Sequence, residues 1–289
     1  MAQPLPALQS RHAFPYWKWQ ANWRGLAADY SGRFPFPHIY LDQFLHEEMA
    51  HAMAREFPGP EADAWTHYQH PNENKLGMSH WESFPPLLKS TALELNSPGF
   101  VAWLSRLTGI RNLIADPALD GGGLHQASRG GFLNVHTDFT THHYQKNWQR
   151  RVNLVLYLTP GWRAEWGGAL EFWDADMRHC IVKYPCLFNR AVIFTTSQCS
   201  LHGFPQRLRC PEGVRRNSLA LYYYTAEKTD LVPRFTNYRP RPSDKRSQAA
   251  IIWLDKQAVA LYSRAKRRFG FSDGWVSRAL RLFSRARLG

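Results

Sequence analysis

Residues 132–138, Phe-Leu-Asn-Val-His-Thr-Asp, alternate apolar and polar side chains in the manner of a half-buried strand. Residues two apart in a strand share a face, so His136 and Asp138 point the same way, about 7 Å apart along the backbone. The same pattern predicts strands over Leu124–Ser128, Arg151–Leu158, Ala169–Trp173, Ala191–Thr196 and Ser218–Thr225. Turn residues punctuate them at Arg129-Gly130-Gly131, Pro160-Gly161, Gly167-Gly168 and Pro185. No helical period interrupts the run, which predicts an antiparallel sandwich or barrel of jelly-roll type. Gly121-Gly122-Gly123 opens it and marks a turn or a close backbone approach.

Ahead of this run the period changes. Leu45, Met49, Met53 and Phe57 make one stripe of a helix that Pro58-Gly59-Pro60 ends. Two short helices are predicted within 86–109. For the second, Ser97 caps, Pro98 suits the first position, Phe100, Trp103, Leu104 and Leu107 form a face, and Gly109 ends it. The aromatic run Phe14–Trp23 reads as an arm packing its rings on the domain. Residues 61–85 read as irregular, with His67, His70 and His80 as loop residues. Beyond residue 227, Arg239-Pro240-Arg241-Pro242 reads as a stiff linker. Helices are predicted over 248–268 and 273–287, the latter carrying Val276, Leu280 and Phe283 beside four arginines. The expected organisation is α+β: supporting elements in 1–119, a strand-rich core in 120–228 and a basic helical appendage in 229–289.

Composition changes this picture in three places. A formal charge of +13 on 289 residues favours an anionic neighbour. The basic amphipathic C-terminus could lie on an anionic membrane or dock on the core, and the two readings weigh about equally. No stretch approaches the length of a membrane span. No export signal is apparent and Cys180, Cys186, Cys199 and Cys210 show no Cys-x-x-Cys spacing, so free thiols in a cytoplasmic protein, peripheral to a membrane at most, are expected.

His136 and Asp138 on one face are two thirds of a 2-His-1-carboxylate site, the set that holds non-heme Fe(II) with coordination positions open. His202, in Ser200-Leu201-His202-Gly203, is the best third ligand. His142 and His143 compete for that role, but neighbours on a strand point to opposite faces, and solvent exposure is expected of them. Arg216 and Ser218 share a face of their strand, where a planar guanidinium fork can pair with a carboxylate. His125 is a candidate pocket residue. Arg129, Arg150 and Arg151 could meet an acidic substrate, with ordinary surface charge the plainer reading.

His-x-Asp, a distal His and Arg-x-Ser, in that order on one strand-rich segment, resemble the Fe(II)/2-oxoglutarate-dependent oxygenases, in particular their prolyl-4-hydroxylase-like branch. The resemblance covers roughly residues 120–226. It implies a double-stranded β-helix (jelly-roll) core in which His136, Asp138 and His202 hold iron. Arg216, Ser218 and Tyr157 would bind the distal carboxylate of 2-oxoglutarate. Gln126, ten residues before His136 where some relatives have a tyrosine, is carried with them. The implied cofactors are Fe(II), 2-oxoglutarate and O2, with ascorbate optional. The implied reaction couples decarboxylation of 2-oxoglutarate to succinate with hydroxylation of a C–H bond, on a prolyl residue of a peptide or protein. Hydroxylation of a small molecule, and a non-enzymatic basic jelly-roll module, are the alternatives. Substrate contacts are expected from His125 and Arg129, an anionic membrane remains an optional partner, and nucleic acid is not expected.

Overall fold

The computed structural model describes residues 12–269. Two helices, α1 (Tyr16–Gln20) and α2 (Trp23–Gly32), precede β1 (His38–Leu41) and α3 (Glu47–Arg55). A hairpin follows, β2 (Thr66–His70) and β3 (Glu73–Met78), then α4 (Pro86–Leu95) and α5 (Pro98–Thr108). The strand-rich run comprises β4 (Ile114–Ala115), β5 (Gly123–Ala127), β6 (Phe132–Thr137), β7 (Trp148–Tyr157), β8 (Leu170–Trp173), β9 (Cys180–Tyr184), β10 (Ala191–Thr195), β11 (His202–Phe204) and β12 (Arg216–Ala226). A short β13 (Asn237–Tyr238) and α6 (Arg246–Phe269) close the described chain. The predicted helix over 273–287 lies outside the described residues.

All the strands belong to one rolled antiparallel sheet, ordered β1-β10-β7-β12-β5-β3-β6-β11-β8-β9. The roll turns at β3. Its first residues, Glu73 and Asn74, pair with β6, and its last, Leu76 to Met78, pair with β5. The two ends of the order meet through side chains: His38 on β1 shares a hydrogen bond with the Tyr184 hydroxyl on β9. This is the double-stranded β-helix architecture. β1–β4 and β13, which lie outside the predicted core segment, are all strands of the same sheet.

Strand alternation sorts the core into two layers. Val152, Leu154 and Leu156 of β7, Ile193 of β10, and Leu219, Leu221 and Tyr223 of β12 face outward. There they pack on Met49 and Met53 of α3, Leu87 and Leu88 of α4, and Phe100, Trp103 and Leu104 of α5. The Ser97 hydroxyl accepts the Phe100 N–H at the start of α5, and Gly109 ends it with φ 71°. The inward positions of the same strands, Tyr157, Val192 and Phe194, line the inside of the roll with Leu170, Phe172 and Phe204. Burying one large side chain of either layer contributes about 1.5–3 kcal/mol.

The aromatic run packs Phe14 and Trp19 into the core as expected, with Trp17 exposed, and is helical in α1 and α2. The Arg-Pro stretch is tied down: Arg239 N–H donates to the Val135 carbonyl, continuing the β13–β6 pairing. Ile252 of α6 is buried and Asn72 donates to its carbonyl, so this helix docks on the sheet. Among the described residues no helix is long and apolar enough to cross a membrane.

Candidate metal centre and cosubstrate pocket

A cavity of about 560 Å³ opens inside the roll. His136, Asp138 and His202 stand together in it, with ligand-type atoms all within 4.8 Å of one another. β6 supplies the first two and β11, its antiparallel neighbour, the third. His136 Nε2 lies 3.5 Å from Asp138 Oδ1, and His202 Nε2 lies 3.4 Å from Oδ2. All three side chains are buried. Neither competing histidine reaches this cluster, and neither is solvated. His142 is buried against Asp116 (3.3 Å), and His143 Nδ1 meets Asp120 Oδ2 (2.6 Å). The chain after β6 folds back onto residues 116–120, which strand geometry alone does not anticipate.

The donor set fits a cation. His136 Nδ1 faces the Asn134 carbonyl at 2.9 Å and His202 Nδ1 faces the Ser200 carbonyl at 2.8 Å. A carbonyl only accepts, so each Nδ1 carries the proton and each Nε2 presents a lone pair. Two lone pairs and a carboxylate then converge with no proton between them, an arrangement a cation would satisfy. Burial holds the His202 imidazole down to about 4, against the pull of Asp138, so the ring is neutral. For Asp138 burial works the other way, yet the Arg150 guanidinium keeps the carboxyl well below its usual range.

The Asp138 carboxylate is braced from behind. Asn153 Nδ2 donates to Oδ2 at 2.7 Å, and Arg150 Nη2 stands 3.3 Å from the same oxygen. Arg150 is only 1% exposed. The expectation of surface charge fails here because β7 carries a bulge. Tyr222 pairs with Asn153 and Tyr223 with Val152, but Tyr224 pairs with Arg150, skipping Arg151. The extra residue reverses the alternation and re-aims Arg150 inward.

Farther along the cavity, sheet register assembles a polar row. Ser218 on β12 is opposite His125 on β5 and Tyr157 on β7, so all three share a face. Arg216 lies two residues from Ser218 on that face and is buried. Its Nε donates to the Gly168 carbonyl at 2.9 Å and an Nη to the Tyr157 hydroxyl at 3.2 Å. Burial pushes Tyr157 up to about 12, offset in part by Arg216, so its hydroxyl stays protonated. Burial, then the nearby Lys75 and Arg216 charges, depress His125 to about 3. His125 is therefore neutral, and its Nδ1 has no protein partner among the described residues.

Two sequence candidates are not brought into this row. Gln126 pairs in register with Asn217, which points away from Arg216 and Ser218. Its amide donates to the Pro58 carbonyl and to Asn217 Oδ1, on the other side of the strand. Arg129 is exposed in the β5–β6 turn, where it donates to the Cys210 carbonyl. Conversely, residues read as irregular form one wall. β2 and β3 bring Tyr68, His70, Glu73 and Lys75 to the cavity, and α6 adds Asp255 and Ala258. His70 is not a loop residue; it bridges Glu73 (2.8 Å) and Asp255 (2.7 Å). β2 has no apolar face and β3 offers only Leu76 and Met78 at its end, so hydrophobic alternation carries little signal for the hairpin.

Residues 122–224 match the family model of the 2OG-Fe(II) oxygenase superfamily. A curated relative, the prolyl 3-hydroxylase OGFOD1 of Mus musculus, is 28% identical over 129 residues, covering 43% of this chain and 21% of that protein. The matched region is thus about a fifth of the relative's length. Among solved structures, a prolyl hydroxylase from Trichoplax adhaerens, in complex with a hypoxia inducible factor oxygen degradation domain peptide fragment, superposes with a TM-score of 0.53. It is 15% identical, over 75% of this chain and 94% of that one, a likeness of fold. A Pseudomonas putida prolyl-4-hydroxylase gives a TM-score of 0.49 at 17% identity, over 69% of this chain and 98% of that one.

Proposed function

We propose that this chain, whose residues 122–224 form a 2OG-Fe(II) oxygenase domain, hydroxylates a prolyl residue in a peptide or protein substrate. The observation that carries the reading is the convergence of the two His Nε2 lone pairs and the Asp138 carboxylate within the cavity of the roll. His136, Asp138 and His202 are the proposed metal ligands. Fe(II), 2-oxoglutarate and O2 are the cofactors of such a domain, and together they supply the oxidising power that no side chain has.

The chain's own residues would bind and orient. Arg216, already steered by Gly168 and Tyr157, offers a buried guanidinium to the distal carboxylate of 2-oxoglutarate. Ser218 and the Tyr157 hydroxyl add donors on the same face. His125, neutral and with an unpaired Nδ1, can meet a polar atom of the cosubstrate without adding charge. The hydrophobic lining of Val155, Leu170, Phe194 and Phe204 keeps water from the buried end. The β2–β3 hairpin and the Asp255 side of α6 border the mouth and would contact the substrate.

The test is succinate formation from 2-oxoglutarate with Fe(II), comparing proline-containing peptides with free amino acids and sugars. Peptide-dependent succinate with a 16-dalton mass gain on proline supports the reading. Stimulation only by a small molecule replaces the substrate class. An inert protein with no oxygen uptake refutes the enzyme.

A further inference from the structure

The residues behind Asp138 are arranged as a clamp. The carboxylate has two oxygens in different surroundings. Oδ2 accepts from Asn153 Nδ2, faces Arg150 Nη2 and lies 3.4 Å from His202 Nε2, whereas Oδ1 faces His136 Nε2. The clamp is itself held. Arg150 Nε donates to Asn153 Oδ1 at 2.7 Å, and the Thr196 hydroxyl approaches that same oxygen at 3.4 Å. The guanidinium carbon lies 3.3 Å from the Tyr222 ring centre and 4.7 Å from that of Phe139. Tyr222 is anchored in turn by its hydroxyl on the Gly121 carbonyl. Nη2 of Arg150 has no hydrogen-bond partner among the described residues, and Asp138 Oδ2 stands 3.3 Å from it.

We propose that Arg150 and Asn153 are positioning residues that engage Oδ2 of Asp138 and so hold the carboxylate in the orientation in which it faces the two imidazoles. The inference rests on the metal-site reading above. It assigns a purpose to the β7 bulge, without which Arg150 would face outward and Arg151 inward. It also makes a choice of sign. A cation beside a metal site repels the metal, so if Arg150 acted only through its charge, removing it would tighten metal binding. If it acts by holding the carboxylate, removing it weakens binding.

The experiment titrates the metal-free full-length protein with Mn(II) alone, reading free Mn(II) by electron paramagnetic resonance, with no turnover required. Arg150→Ala and Asn153→Ala should each weaken Mn(II) binding about 10–100-fold, the cost typical of losing an outer hydrogen-bond partner of a ligand. Arg150→Lys keeps the charge but loses the fork to Asn153, and should fall between wild type and Arg150→Ala. Asn153→Ala leaves the buried cation in place, which keeps the test open should Arg150→Ala fail to fold. A residue needed only for folding would lower the melting temperature without changing the affinity of the folded fraction. Unchanged or tighter Mn(II) binding in folded Arg150→Ala or Asn153→Ala overturns the positioning role while leaving the metal site standing. Absence of Mn(II) binding in the wild type overturns both.

Discussion

His202 sits directly opposite His136 across the β6–β11 pair, and their rings leave the sheet side by side with centres 4.6 Å apart. Two imidazoles from neighbouring strands, far apart in sequence, are thereby held without help from any loop. Replacing either with alanine leaves two donors, too few to hold the ion with open positions defined. His136→Ala, His202→Ala and Asp138→Ala should each reduce Mn(II) or Fe(II) affinity by more than the 10–100-fold expected for an outer partner. Succinate formation should fall to background, as it should in the wild type with a chelator present. Metal stoichiometry and succinate assays on the folded variants check this.

Arg216 is predicted to act on the cosubstrate and not on the metal. A charge-assisted hydrogen bond to a carboxylate is worth about 1.5–3 kcal/mol. Arg216→Ala should therefore raise the KM for 2-oxoglutarate about 10–150-fold, with Mn(II) affinity unchanged. Tyr157→Phe, which removes one donor and leaves the guanidinium, should raise it only a few fold. Steady-state kinetics at varied 2-oxoglutarate separates the two.

That His136 and Asp138 share one face, and Arg216 and Ser218 another, was legible in the sequence because strand parity and register keep such pairs together. Gln126 shows the limit of counting along a motif. The residue count from His136 points to it, but pairing with Asn217 turns its side chain away, and the inward residue is its neighbour His125. Arg150 was illegible for a related reason: a one-residue bulge reverses parity, and no local pattern announces it. The β2–β3 hairpin escaped because Thr66–His70 is polar on both faces. His142 and His143 escaped because their partners, Asp116 and Asp120, come from a loop ahead of the strand.

The glycine run carries a structural prediction as well. Gly123 has φ +99°, and a Cβ there would fall 2.1 Å from the Met78 carbonyl oxygen, a backbone atom that cannot swing aside. The close approach belongs to the β3–β5 pairing at which the sheet turns. Gly123→Ala should cost about 2–4 kcal/mol of stability, whereas Gly130→Ala, also at positive φ but with open space around it, should cost about 1 kcal/mol. Urea denaturation of the two variants tests the difference.

The docking of α6 should respond to pH through His70. Burial alone would lower this imidazole, but hydrogen bonds to Asp255 and Glu73 outweigh it and raise it to about 9. Lys75, 3.3 Å from Glu73, and the Tyr238 hydroxyl, 3.4 Å from it, complete the surroundings. A histidine raised in the folded state binds its proton more tightly there than in the unfolded chain, near 6.5. Its stabilisation is complete below about pH 6.5 and is lost as pH rises through about 9. The loss should be on the order of 2 kcal/mol, a few degrees in Tm for a chain of this size. Asp255→Asn removes the link to α6 and should flatten the decline between pH 7 and 9.5, while lowering stability at pH 6.5. Because Asp255 also borders the cavity, the same variant should change the KM for substrate more than that for 2-oxoglutarate. A wild-type Tm that stays level from pH 7 to 9.5 would show that the His70 bridge does not hold the helix.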